Sequence, residues 1–210
     1  MKRIENTSLR EKIALEIKNA ILSGEIKAGT ILTQEKIAED LGVSRMPVRE
    51  ALLALERDNF IEFSPTKKAV VLPFSLEDIK EHYTLRAILE SECAKMAAIQ
   101  DNDYTTLVKL HEKMLSCKDY SKYLSLNRQF HTEIHQLSHL KKTVKLVENL
   151  WGAIPPVIRR DHVKYLEKSN QEHDNLVKAI TSKNDTHAKA IMEAHIMRSY
   201  QDFLQEKSTK

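Results

Sequence analysis

The segments LNRQFHTEIH, QEHDNLVKAI and AIMEAHIMRSY each place a histidine where helical periodicity turns a side chain inward. In the first, His131 follows Asn127 by one turn and lies beside Phe130 and Ile134. In the second, His173 shares a stripe with Leu176, Val177 and Ile180, and in the third His195 follows Ile191 and Ala188. One histidine on an apolar stripe is ordinarily a core residue with both nitrogens satisfied. Three, from three helices, admit a different chemistry. Neutral imidazole nitrogens converging from facing helices suit a divalent metal, with zinc or nickel the natural choices, and an oxygen one turn away completes one side of the shell. His135, a further turn beyond His131, reads as a solvated surface residue.

Arg86 in HYTLRAILESE stands on a stripe with Ile79, Tyr83, Cys93 and Ala97, where an apolar residue would ordinarily sit. A buried arginine needs an anion. Two candidates stand side by side: an intrahelical pair with Glu90 one turn on, and a bidentate clamp on the carboxylate of a small ligand.

A second constellation lies in GVSRMPVREALLAL, Gly42 to Leu55. Ser44 reads as an N-cap and Pro47 falls in the first turn, where backbone N–H groups have no intrahelical partner, so a helix is predicted to begin at Arg45. Val48, Ala51, Leu52 and Leu55 form its apolar stripe, and Arg45 and Arg49 project together from the flank near its start. Upstream, QEKIAEDLGVS predicts a short helix closed by a turn at Gly42, with Ala38 allowing close approach and Leu41 and Val43 filling the angle between the helices. A capping box at Ser8–Glu11 opens a further helix, and the β-prone runs FIEF and AVVL flank the turn SPTKK. Three helices and a hairpin wing make a winged helix-turn-helix. Ser44, Arg45 and Arg49 would then face the major groove of double-stranded DNA, with Lys67 and Lys68 of the wing on phosphates. One such module covers a half-site, so a homodimer on a palindromic operator is predicted.

The elements that position these residues divide near Pro73. From Ser75 the pattern is helical to the end, over about 76–99, 102–116, 119–137, 140–163 with a break at Pro155 and Pro156, 165–182 and 185–206. The fold class is therefore mainly α. Residues 1–73 are read as a winged helix-turn-helix DNA-binding domain, and residues 74–210 as an all-helical antiparallel bundle for metal, effector and dimerisation. All nine histidines fall in the second segment. The net charge is only +3, and residues 1–73 carry 12 Lys and Arg against 11 Asp and Glu, so DNA binding rests on local placement and not on a general basic field. Cys93 and Cys117 are far apart and outside any CxxC pair, which reads as free thiols in a reducing cytosol. No apolar run approaches the ~20 residues of a membrane span, so a cytoplasmic protein without membrane contact is expected.

Ala20 to Glu62, AILSGEIKAGTILTQEKIAEDLGVSRMPVREALLALERDNFIE, resembles the N-terminal domain of the GntR family of bacterial transcription regulators. The rest resembles its FadR branch, whose ligand domain is an all-helical bundle of the FCD type. The resemblance implies a regulator and not an enzyme, a metal in the bundle held at Asn127, His131, His173 and His195, and a small organic acid as effector with Arg86 facing its pocket. It also marks two departures. Glu35 stands where the branch often has a basic, DNA-holding residue, and Lys68 stands where the wing tip often has glycine. Asn127, a substitution seen within the branch, stands in place of an aspartate and brings no charge.

Two other functions fit parts of the pattern. A three-histidine metal with open positions can serve a hydrolase, which would need a placed general base such as Glu133 or Glu172. A ligand-independent DNA-binding protein would use the bundle structurally.

Overall fold

The computed structural model describes residues 9–73, 75–153 and 162–208. The chain divides into two compact units, with one division between Asp78 and Ile79 and with residues 151–153 grouped with the first unit.

The first unit holds α1 (Leu9–Ser23), β1 (Ile31–Leu32), α2 (Gln34–Leu41), α3 (Arg45–Arg57), β2 (Ile61–Phe63) and β3 (Ala69–Val71). Ile13, Ile17 and Ile21 of α1 bury against α3, whose Val48, Ala51, Leu52 and Leu55 are fully enclosed, as the stripe requires. Thr33 caps α2 by accepting from the Lys36 amide. Gly42 ends it in the left-handed region at φ 63°, where an L side chain is disfavoured, and the Val43 amide bonds back to Ala38. The helix-turn-helix angle is filled differently from the expectation: Ala38 is buried, but Leu41 is 43% exposed and Val43 only half-buried. Ser44 occupies the N-cap of α3 with extended backbone, yet its hydroxyl makes no capping bond.

The wing is the antiparallel pair β2–β3, and β1 extends it to a three-stranded sheet in the order β1-β3-β2. In its turn, the left-handed residue is Lys67 at φ 59°, not Lys68. The capping box at Ser8 and the break at Pro155 and Pro156 lie outside the described residues.

The second unit is all helical among the described residues: α4 (Leu76–Ile99, whose first turn lies before the division), α5 (Thr105–Leu115), α6 (Tyr120–Leu137), α7 (Lys141–Ala153, whose last three residues group with the first unit), α8 (His162–Thr181) and α9 (Asp185–Ser208). Ser75 and Asp78 exchange capping bonds at the start of α4, and Asp119 caps α6 through the Lys122 amide. Helix α8 packs on α9 and α5, and α5 on α6. Their apolar stripes enclose Leu107, Met114, Phe130, Ile134, Leu176, Ile180 and Met192. That enclosure fixes which way the histidines on α6, α8 and α9 point.

Candidate metal centre and nucleic-acid face

His131, His173 and His195 meet in the core of the second unit. Each offers a ring nitrogen, and these nitrogens all lie within 4.8 Å of one another. The ring centroids are 5.5 Å (His131 to His173), 5.2 Å (His131 to His195) and 4.7 Å (His173 to His195) apart. Neither nitrogen of His173 has a hydrogen-bond partner, and neither does the buried Oδ1 of Asn127, one turn before His131 on α6. Buried polar atoms without partners are uncommon because each loses its hydration uncompensated. Three imidazoles and an orphan amide oxygen are a donor set that a borderline divalent ion such as zinc or nickel accepts, so the residues present fit a metal.

Two of the three rings are fixed by carboxylates that sequence reading did not connect to them. Glu172 on α8 accepts from Nδ1 of His195 at 2.7 Å, and Nε of Arg198 donates to both its oxygens at 2.6 and 2.9 Å. Arg198 is in turn held by Ser169 at 3.1 Å, by Asp202, and by the ring of Tyr165 at 5.4 Å. On the other side, Glu90 of α4 lies 3.3 Å from Nδ1 of His131, accepts from Nε2 of His135 at 3.0 Å and receives Nε of Arg86 at 2.8 Å. Each arrangement reads Arg to Glu to His. Since an ionised carboxylate only accepts, Glu172 puts the ring proton of His195 on Nδ1 and leaves Nε2 as the lone-pair donor, while Glu90 flanks Nδ1 of His131.

Electrostatics agree with that assignment. Burial pushes the Glu90 carboxyl up, but the Arg86 charge and the bonds from His131 and His135 outweigh it and hold it well below its ordinary range. For Glu172, burial is likewise outweighed by the His195 and Arg198 bonds. Burial lowers His131 to about 4, with Glu90 offsetting only part, and burial also takes His173 well below its usual value. These two imidazoles are neutral, the form that ligates.

His135 is not a surface residue: it is 3% exposed, facing Glu90. Glu90, His131 and His135 themselves bring ligand atoms within 4.8 Å. A guanidinium already neutralises that carboxylate, however, so the group works as an orienting network for His131 more readily than as a second cation site. Arg86 makes the intrahelical pair with Glu90.

In the first unit, Ser44, Arg45, Arg49, Lys67 and Lys68 are all exposed, on the first turns of α3 and on the wing turn. Arg49 and Lys67 line one groove of about 390 Å³ with Gln34, Leu53 and Phe63, which brings recognition helix and wing together. Arg45 donates through Nη1 to Glu35 at 3.0 Å. Among the described residues no helix is long and apolar enough to cross a membrane.

A winged helix-turn-helix unit and a helical unit with a histidine core together define a DNA-binding regulator with a separate ligand domain. The first matches the model of bacterial regulatory proteins of the gntR family over residues 9–71, and the second matches the FCD domain over residues 81–198. The chain belongs to the GntR family of bacterial transcription regulators, in the group that carries an FCD domain. It is 27% identical over 200 residues to the gluconate operon transcriptional repressor of Bacillus licheniformis, covering 87% of this chain and 80% of that one. It is 26% identical over 178 residues to the transcriptional regulator McbR of Escherichia coli, covering 77% and 80%. The solved structure of E. coli McbR/YncC shares the fold with a TM-score of 0.69 at 23% identity, over 95% of this chain and 98% of that one. These relatives are transcription regulators, not enzymes, which removes the hydrolase reading. GntR-family regulators bind operator DNA and typically dimerise, and FCD domains often bind metals.

Proposed function

We propose that this regulator acts as a homodimer in which residues 74–210 hold zinc or nickel through His131, His173, His195 and Oδ1 of Asn127. In this reading a small carboxylate bound at the metal sets the affinity of residues 1–73 for a palindromic operator. The observation that carries it is three ring-nitrogen donors from three helices within 4.8 Å in a sealed core. A divalent ion there would supply positive charge inside the bundle, where an uncompensated charge is costly and an anion is welcome. Asn127 offers an oxygen without charge, and Glu90 and Glu172 are already neutralised by Arg86 and Arg198. The carboxylate of the effector is the anion the donor set lacks. A ligand carboxylate that reaches Arg86 must share it with Glu90. On the DNA side, Ser44, Arg45 and Arg49 meet base edges and adjoining phosphates, while Lys67 and Lys68 meet phosphates.

Metal analysis and calorimetric titration of the purified chain test this. The expected result is uptake of zinc or nickel at neutral pH, with metal and small carboxylates each tightening the other, since linkage is reciprocal. His173→Ala loses the metal, and Glu172→Gln weakens it by about 10–100-fold because His195 loses its orienting partner. Asn127→Asp tightens the metal and reduces its dependence on the acid. A chain that takes up neither metal and binds carboxylates equally well in chelator overturns the reading.

A further inference from the structure

Two arginines stand at the start of α3, and they are held differently. Arg45, the first residue of α3, bonds through Nη1 to Oε1 of Glu35, the second residue of α2, at 3.0 Å. Arg49 has no ion-pair partner among the described residues. The Arg45 and Glu35 side chains are 69% and 61% exposed, so their pair contributes little to folding. What it does is aim a guanidinium. With one Nη1 hydrogen on the carboxylate, the opposite edge of the fork, Nε and Nη2, still presents two parallel donors, the pattern that matches O6 and N7 of guanine.

We infer that Glu35 is a specificity-determining residue that acts through Arg45, holding its guanidinium in the orientation that reads one guanine of each half-site. Two physical effects work together. A tethered arginine loses less side-chain freedom on docking than a mobile one, so the guanine contact forms at lower entropic cost. The negative charge also repels phosphates next to Arg45, which keeps that guanidinium from being captured by the sugar-phosphate backbone in a wrong register. Arg49, untethered, has no such restriction and can follow either a base or a phosphate. The substitution of an acid at this edge thus lowers general DNA affinity while sharpening the choice of sequence.

The inference rests on Arg45 as a base contact, and the experiment separates the two. Duplexes with a randomised core are selected on the full-length chain and on Glu35→Ala, Glu35→Gln, Arg45→Ala and the Glu35→Ala/Arg45→Ala double variant, at one fixed salt concentration. Thermal melts of the variants should match the native chain, since both side chains are exposed. Arg45→Ala should erase a guanine preference at one position of each half-site. Glu35→Ala and Glu35→Gln should lower the preference at that same position about tenfold, keep the others, and raise affinity for unselected random duplex. The double variant should discriminate no worse than Arg45→Ala alone. If the Glu35 variants keep the guanine preference and shift affinity by one factor on every sequence, Glu35 is only a surface charge and the inference is wrong. If Arg45→Ala keeps the preference, the base-contact assignment has failed and the inference falls with it.

Discussion

At the scale of single residues, the three inward histidines are not equivalent. His131 and His195 each lie against a glutamate that an arginine neutralises, whereas His173, the third corner of the cluster, has no hydrogen bond of its own. Burial keeps His131 and His173 neutral, and that has a consequence for stability in the metal-free protein. Their folded pKa values lie below the unfolded value near 6.5, so as pH falls the unfolded chain takes up protons first. Their contribution is therefore intact above pH 6.5 and drains away as pH falls from there toward the folded value, about 4 for His131. The slope approaches about 1.4 kcal/mol per pH unit for each histidine. Glu90 and Glu172, both held below 4.5, add their own losses only further down, and Glu133, raised by burial, works in the opposite direction above 4.5, so the losses between 6.5 and 4.5 come from histidines. The expected result is a melting temperature in chelator that drops steadily between pH 6.5 and 5, with a shallower drop in His173→Phe. A flat profile would mean that the rings are charged or hydrated in the fold. The inward histidines themselves were legible in the sequence, because a stripe records which face of a helix is apolar. Their partners were not: Glu90 reaches His131 from another helix, and Glu172 reaches His195 from another helix. Spacing along one helix cannot show such contacts, and the same blindness put His135 on the surface.

At the scale of elements, the long helices of the second unit followed from their period because each carries enough turns to define a face, and most ends lie within a few residues of expectation; the exception is the range 140–163, where α7 is described only to Ala153 and α8 already begins at His162. The short elements were harder. The strand Ile31–Leu32 has only two residues, and its existence depends on a ladder to Ala69 and Val70 far along the chain, so no local pattern announces it. The wing turn shows what such a ladder demands. Closing β2 onto β3 places Lys67 in the left-handed region at φ 59°, with its amide on the Ser64 carbonyl at 2.8 Å. A Cβ is disfavoured there. Lys67→Gly should therefore raise thermal stability by about 1 kcal/mol, while removal of the ammonium group weakens DNA binding equally for all sequences and lowers the salt dependence by about one counterion. Fluorescence anisotropy against two unrelated duplexes at several salt concentrations reads both effects. A loss confined to one sequence would make Lys67 a base reader instead of a phosphate contact.

At the scale of the whole molecule, one chain offers one recognition helix and one wing, and that is a half-site's worth of contact. In the proposed reading, affinity for an operator depends on two such modules meeting successive half-sites on one face of the duplex. In that reading, the ligand site among His131, His173 and His195 and the DNA-contacting residues belong to different units. The ligand's influence must then pass through how well the two modules of a dimer match the half-site spacing, and not through the contacts made by either one. This gives a measurement that separates control by spacing from control of the reading head. The purified chain, loaded with zinc and the carboxylate that calorimetry selects, is compared with the chelated chain on three duplexes: the selected palindrome, one half-site alone, and the palindrome with about 5 bp inserted at its centre, half a helical turn. The expected outcome is a ligand-dependent change on the palindrome only. Half-site binding should be weak and indifferent to the ligand, and the insertion should remove tight binding in both states because the modules then face opposite sides of the duplex. Equal ligand effects on the palindrome and on the half-site would place the switch inside each DNA-binding module. A chain that sediments as a monomer at micromolar concentration while protecting a non-palindromic site would rule out the dimer on which the spacing argument depends.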